Sequence, residues 1–112
     1  MAVIVRNLIP AKTAEATQTT QYTATGVTTI IDKFTATNYS GSAATISVNL
    51  VTAAGSATND NLIVKTKTLQ PNETYTFPEL VGHMLSPGSF ISTIAGTASA
   101  VNIRASGREV TQ

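Results

Sequence analysis

The sequence predicts an all-β fold: a single-domain β-sandwich of seven to eight short strands, with one short helical turn. Three observations carry this. Apolar and polar residues alternate with a period of two through several short segments, as they do on a half-buried strand. Clusters of Gly, Pro, Asn and Ser separate those segments at near-regular spacing. Threonine, whose β-branched side chain suits a pleated surface, makes up more than a sixth of the 112 residues, and long runs of Leu, Glu, Lys and Ala are missing. Such a pattern fits two packed sheets, with the jelly roll as one arrangement it allows. Connectivity is not readable at this level.

The elements follow in order. Residues 2–9 are apolar and β-branched, and Pro10 is expected to close them. With the small polar stretch that follows, residues 1–17 read as either an N-terminal arm or an edge strand with a polar linker, and residues 18–112 as the β-sandwich domain. Residues 19–25 alternate weakly around Tyr22. Residues 27–37 form the longest strand, with Ile30, Asp32, Phe34 and Ala36 on one face and Ile31, Lys33 and Thr35 on the other. Asn38-Tyr39-Ser40-Gly41-Ser42 is a turn cluster. It is expected to make a hairpin with residues 43–52, where Ala44, Ile46, Val48 and Leu50 oppose Thr45, Ser47 and Asn49.

Residues 53–61 form a loop, and residues 62–69 a strand with Leu62 and Val64 opposite Lys65 and Lys67. Gln70-Pro71-Asn72-Glu73 places Pro and Asn at the two centres of a tight turn, before a short strand carrying Tyr75 and Phe77. Pro78 and Glu79 suit a helix start, and Leu80, Val81, Met84 and Leu85 follow at helical spacing, so one helical turn is expected there. Ser86-Pro87-Gly88 is a second tight turn. Residues 89–94 and 98–105 are two more strands, and Ser106-Gly107 marks a final turn or bulge.

Composition narrows the function classes. Charged residues are 12% of the chain, against about 25% in an average protein, and the formal net charge is +1. The bases are scattered among acids, which is a poor footprint for nucleic acid. Low charge with much Thr, Ser, Asn and Ala reads as a surface covered by neighbours. With no cysteine there is neither a disulfide nor a thiolate metal site. No apolar run approaches the roughly 18 residues of a membrane span, and the first residues lack the basic start of a signal peptide.

Chemistry-bearing constellations are also missing. His83 is the only histidine, and a general base needs a placed nucleophile and an orienting partner. A packing or interface histidine is the preferred reading. Asp60, between Asn59 and Asn61, is one acid among amides where calcium wants about six to eight oxygens. The six acids are isolated in sequence, unlike the paired carboxylates of a glycosidase. Asp32, inside the long strand, reads as pairing with a neighbouring base or capping a loop. Asn38-Tyr39-Ser40 and Asn72-Glu73-Thr74 match a glycosylation sequon, but a turn role explains both. The aromatics Tyr22, Phe34, Tyr39, Tyr75, Phe77 and Phe90 suit core packing better than a stacking platform. No enzyme, cofactor, metal or small-molecule substrate is expected.

Several segments in order resemble a known group. They run from Leu8-Ile9-Pro10-Ala11 and Gln21-Tyr22-Thr23-Ala24 through Ile31-Asp32-Lys33-Phe34 and Ser40-Gly41-Ser42-Ala43-Ala44 to Ser47-Val48-Asn49-Leu50-Val51. They continue with Asn61-Leu62-Ile63-Val64, Leu69-Gln70-Pro71-Asn72-Glu73-Thr74-Tyr75, Pro78-Glu79-Leu80-Val81-Gly82-His83, Phe90-Ile91-Ser92 and Ile103-Arg104-Ala105-Ser106-Gly107-Arg108-Glu109. The chain resembles small structural proteins of tailed bacteriophages, in the manner of capsid decoration or cement proteins.

The resemblance implies a non-enzymatic virion part, made in the bacterial host cytoplasm and bound at the capsid surface. Its partners would be the major capsid protein and other copies of itself, as a homo-oligomer such as a trimer, with no nucleic acid or membrane. Another virion part (tail, head–tail connector or baseplate protein) or a receptor- or carbohydrate-binding module is the alternative, since small β-sandwiches serve all of these. Residues 2–9 could add a strand to a neighbour's sheet edge; residues 80–85 could present His83 or Met84, although an apolar plug closing one end of the sandwich is the preferred reading of that segment. The candidate subunit-interface residues are Val3, Ile4, Val5, Arg6, Leu8, His83, Met84 and Arg108.

Overall fold

Threonine and other β-branched residues fill nine antiparallel strands, as their preference for a pleated surface dictates. The computed structural model describes residues 2–111. The strands are β1 (Val3–Thr13), β2 (Thr19–Thr23), β3 (Thr28–Asn38), β4 (Ala44–Val51), β5 (Leu62–Leu69), β6 (Thr74–Tyr75), β7 (Met84–Leu85), β8 (Phe90–Ala95) and β9 (Val101–Val110). One sheet has the order β1-β9-β3-β6, with β7 also on β3, and the other has β2-β8-β4-β5.

The pairing is nested. β6 and β7 share one edge of β3 and act as a single interrupted strand. Counted so, the first strand pairs with the last, the second with the last but one, and so inward to the β4–β5 hairpin. A hairpin rolled up in this way is a jelly roll. Between the sheets lie Ile9, Ile31, Phe34, Ile46, Val48, Leu69, Phe77, Leu80, Ile91, Val101 and Ile103, all essentially buried. Each contributes about 1.5–3 kcal/mol by leaving water. Phe77 is the hub at one end, edge-on to Phe34 at 5.1 Å and to Tyr75 at 4.8 Å between centroids.

Both tight turns form as expected. Asn72 and Gly88 take left-handed backbone at their third positions (φ 66° and 88°), and Glu73 N and Ser89 N donate to Gln70 O and Ser86 O. Five other expectations are corrected.

The two faces of β3 exchange midway. Ile31 pairs with Gly107 but Lys33 with Ser106, so Asp32 is an extra residue, and this bulge shifts the phase. Thr29, Ile31, Phe34, Ala36 and Asn38 therefore point inward, while Ile30 and Asp32 do not.

β3 and β4 do not form a hairpin. Both edges of β3 are occupied, by β9 and by β6 with β7, so the chain crosses to the opposite sheet at residues 39–43. Asn38 holds that corner. Its buried amide donates to Ser42 O (2.8 Å) and Leu69 O (2.9 Å), and its Oδ1 accepts from Ser40 N and Oγ.

The expected helical turn at residues 78–85 is instead a looped turn followed by β7. Leu80 N donates to Phe77 O and His83 N to Leu80 O. Gly82, at φ 86°, then brings the chain back so that Gly82 N donates to Ile31 O and Ile31 N to His83 O. The unpaired edge of β3 captures this segment before a helix can propagate. The one 3₁₀ turn among the described residues is Asn59–Asn61, closed by a capping box between Thr58 and Asn61.

Pro10 does not end β1, which runs on to Thr13, because an edge strand tolerates a missing N–H. β1 is thus an edge strand of its own sheet. At Ser106-Gly107 the chain runs straight, and the extra residues sit in the flanking strands β1 and β3.

Candidate interaction surface

The registers place the candidate residues on two different faces. Cα partners across a sheet share a face. One row reads Val5, Arg108, Ile30, Met84, and the next reads Val3, Val110, Thr28. Both rows lie on the outer face of the first sheet. Val3, Val5 and Met84 are 58%, 82% and 62% exposed, an unusual concentration of bare apolar side chains for a chain of this size. Val5 and Met84 stand three strand spacings apart, roughly 15 Å.

Arg108 sits in the middle of this patch and forks onto Asp32, with Nε 3.0 Å and Nη2 2.9 Å from the carboxylate oxygens. The bulge that moved Asp32 to the surface is what puts it in reach. The patch is therefore neutral at its centre. Beside it, Asp32, Lys33, Thr76, Pro78 and Val81 line an open groove of about 470 Å³. His83 is exposed at the turn preceding Met84.

Ile4 and Arg6 face the other way. Arg6 Nε donates to Glu109 Oε1 at 2.9 Å, and Tyr22 from the opposite sheet donates to Glu109 Oε2 at 2.5 Å. The Tyr22 hydroxyl also meets Thr29 Oγ1 at 2.7 Å. These four side chains close one end of the sandwich. The Tyr22 hydrogen bond, helped by Arg6, holds the Glu109 carboxyl below its ordinary range. Burial and the Glu109 carboxylate push the Tyr22 hydroxyl up to about 12.

Leu8 is withdrawn from the interface set. It is 4% exposed and belongs to the core, because the bulge between Arg6 and Ile9 turns it inward beside Gly107. Of the candidates, Val3, Val5, Met84 and Arg108 share one patch, with His83 at its margin.

No protein-family model and no curated protein matches this chain. What the surface can do therefore rests on its own geometry. Among the described residues, no three His, Asp or Glu side chains converge as metal ligands would. Beside Asp60 the Asn61 amide is already engaged. Asn61 Oδ1 accepts from Asn49 Nδ2 and Thr58 N, and its Nδ2 donates to Ser56 O. Phe34 and Phe77 are buried, while Tyr75 is half-buried, with Lys67 Nζ 4.4 Å over its ring. Asn38 of the first sequon is buried and spent on the corner.

Ile30, Val81 and Val110 were missed as patch residues. Ile30 was hidden by the phase error at Asp32, and Val81 by the expected helix. Val110 carried a signal, as the one apolar residue of the last short segment.

The four sheet edges also differ. β5 carries two bulges with Lys65 and Lys67, the β6–β7 edge is broken in two, and β2 has a bulge between Thr20 and Tyr22. Each device discourages pairing with another chain. Residues 3–5 of β1 have no such device: three apolar residues in succession lie on an outer strand.

Proposed function

We propose that this chain is a non-enzymatic structural part of a bacteriophage particle, a capsid decoration protein that binds and stabilises the shell of the major capsid protein from outside. One observation supports the reading most. An apolar patch of Val3, Val5, Ile30, Met84 and Val110, with Val81 in the groove beside it, surrounds a neutralised Arg108–Asp32 pair and runs onto the end of β1 where residues 3–5 carry no bulge. Broad, flat and charge-poor surfaces suit a protein partner better than a small ligand, which takes a concave pocket. The sequence resemblance to decoration proteins supplies the particle.

The mechanism is clamping. Many copies bind many identical sites, so modest affinity per copy suffices. Each copy that binds only the assembled shell stabilises it by mass action. Other copies of the chain are the second partner, as a homo-oligomer such as a trimer.

The test compares particles made with and without the protein. Loss of an outer density layer and lower heat resistance are the expected results. Intact shells that lack tails would refute decoration and favour a connector. Met84→Glu refines the test: it should cut incorporation at least about tenfold while leaving the isolated chain within about 0.5 kcal/mol of its original stability.

A further inference from the structure

Strand β1 is two segments of unlike character. Residues 2–6 are all exposed, whereas Leu8 and Ile9 are buried. The register slips between Arg6 and Ile9, so the ladder to β9 is interrupted where the character changes. Within the slip, the Asn7 amide, in the orientation that satisfies its neighbours, donates to Ala105 O (3.2 Å) and Ile9 O (3.3 Å) and ties the bulge to the buried part of the strand.

The outer segment is held by little. It has its ladder to residues 107–110, three bonds between Ala2 and Thr111, two of them through the Thr111 hydroxyl, and one bond between side chains, from Arg6 to Glu109. Glu109 does not depend on the segment for its position. Tyr22 holds it from the opposite sheet and is itself held by Thr29.

We infer that residues 2–6 undock from β9 as one unit, hinged at the bulge of Asn7 and Leu8, with the Arg6–Glu109 bond as the latch. Local openings of this kind come from segments with few buried apolar contacts and exposed backbone bonds, and residues 2–6 meet both conditions. A bulge supplies the hinge because it already breaks the hydrogen-bond ladder. The receptor half of the latch stays preformed, so redocking needs only the arm to return. The inference concerns the isolated chain and stands apart from the proposed role.

Hydrogen exchange of the intact chain, read by mass spectrometry, tests it. Peptides covering residues 2–6 should exchange about tenfold or more faster than those covering residues 9–13. Arg6→Ala should speed the first set roughly fivefold or more and leave the second within about twofold. Arg6→Lys, which keeps the charge but not the Nε–H placed on Glu109, should restore part of the protection. Arg6 is half-exposed, so neither variant threatens folding. A single rate across residues 2–13 would overturn the inference. So would an Arg6→Ala effect that is equal on both sets or absent from both.

Discussion

Gly107→Ala should be the most damaging single-methyl change in this protein. Gly107 lies where β1, β9 and β3 run closest. A Cβ there would sit 2.2 Å from Ile30 O, 2.9 Å from Leu8 Cδ1 and 3.2 Å from Ile30 C. Ordinary contact between carbon and oxygen needs about 3.2 Å or more, so β9 and β3 must part by roughly 1 Å. The obstacle is backbone, which cannot rotate aside. Overpacking of this kind costs about 1–3 kcal/mol. A ladder bond stretched in the same movement adds about 1 kcal/mol, and the entropy gained by replacing glycine returns about 0.4–1 kcal/mol. The net loss is about 1–3.5 kcal/mol, or roughly 4–14 °C in melting temperature for a domain of this length.

Gly96 is the control. Its added Cβ would also be too close, at 2.3 Å, but to Thr45 Oγ1, a side-chain atom that can turn away. Gly96→Ala should therefore stay within about 1 kcal/mol of the parent. Urea and thermal unfolding of both variants decide the matter. Equal stability of Gly107→Ala and Gly96→Ala would refute the argument from close approach.

Three further outcomes are expected. Asn38→Ala removes four hydrogen bonds at the buried corner and should cost about 3 kcal/mol in denaturant unfolding, with Asn38→Asp little better. Stability should fall at both extremes of pH. The depressed Glu109 carboxyl contributes stability above its unfolded value near 4.3, lost as pH drops through the folded one. The raised Tyr22 hydroxyl contributes stability below about 10, lost as pH climbs towards about 12. Melting curves of Tyr22→Phe should lack the alkaline loss attributable to this group, and an unchanged alkaline limb would count against the cluster. Finally, Val3→Cys with Val110→Cys should close an intramolecular disulfide, since these residues are cross-strand partners in a chain without cysteine. If docking on the particle requires a free arm, the oxidised form will fail to incorporate and the reduced form will succeed.

The fold class was legible because it depends on repeated local signals: alternation in residues 44–48, turn chemistry at Pro71-Asn72 and Pro87-Gly88, and β-branched content throughout. What stayed hidden depends on distant partners. The bulge at Asp32 exists because Gly107 and Ser106, some seventy residues away, set the opposing register. Nothing near Asp32 announces it. The segment after Pro78 has helical spacing, but the vacant edge of β3 outbids one turn of helix. The patch was half legible for the same reason. Exposed apolar residues at Val3, Val5 and Met84 could be named, and Asp32 could be assigned a basic partner. Arg108 could be named too, but that it, Ile30 and Val110 share one face with them is a matter of register. Leu8 was misplaced by a bulge one residue away.

The nested pairing also sets a timetable. Residues β4 and β5 are neighbours in sequence and can meet early, whereas β1 must wait for β9, about a hundred residues later in the chain. Contacts that span such distances are slow to close. During synthesis β1 is thus made well before its partner β9 and is the last of these strands to find its place. Throughout synthesis Val3, Ile4 and Val5 are bare strand-forming residues in search of an edge. The partner they meet first is set by how quickly residues 101–110 emerge.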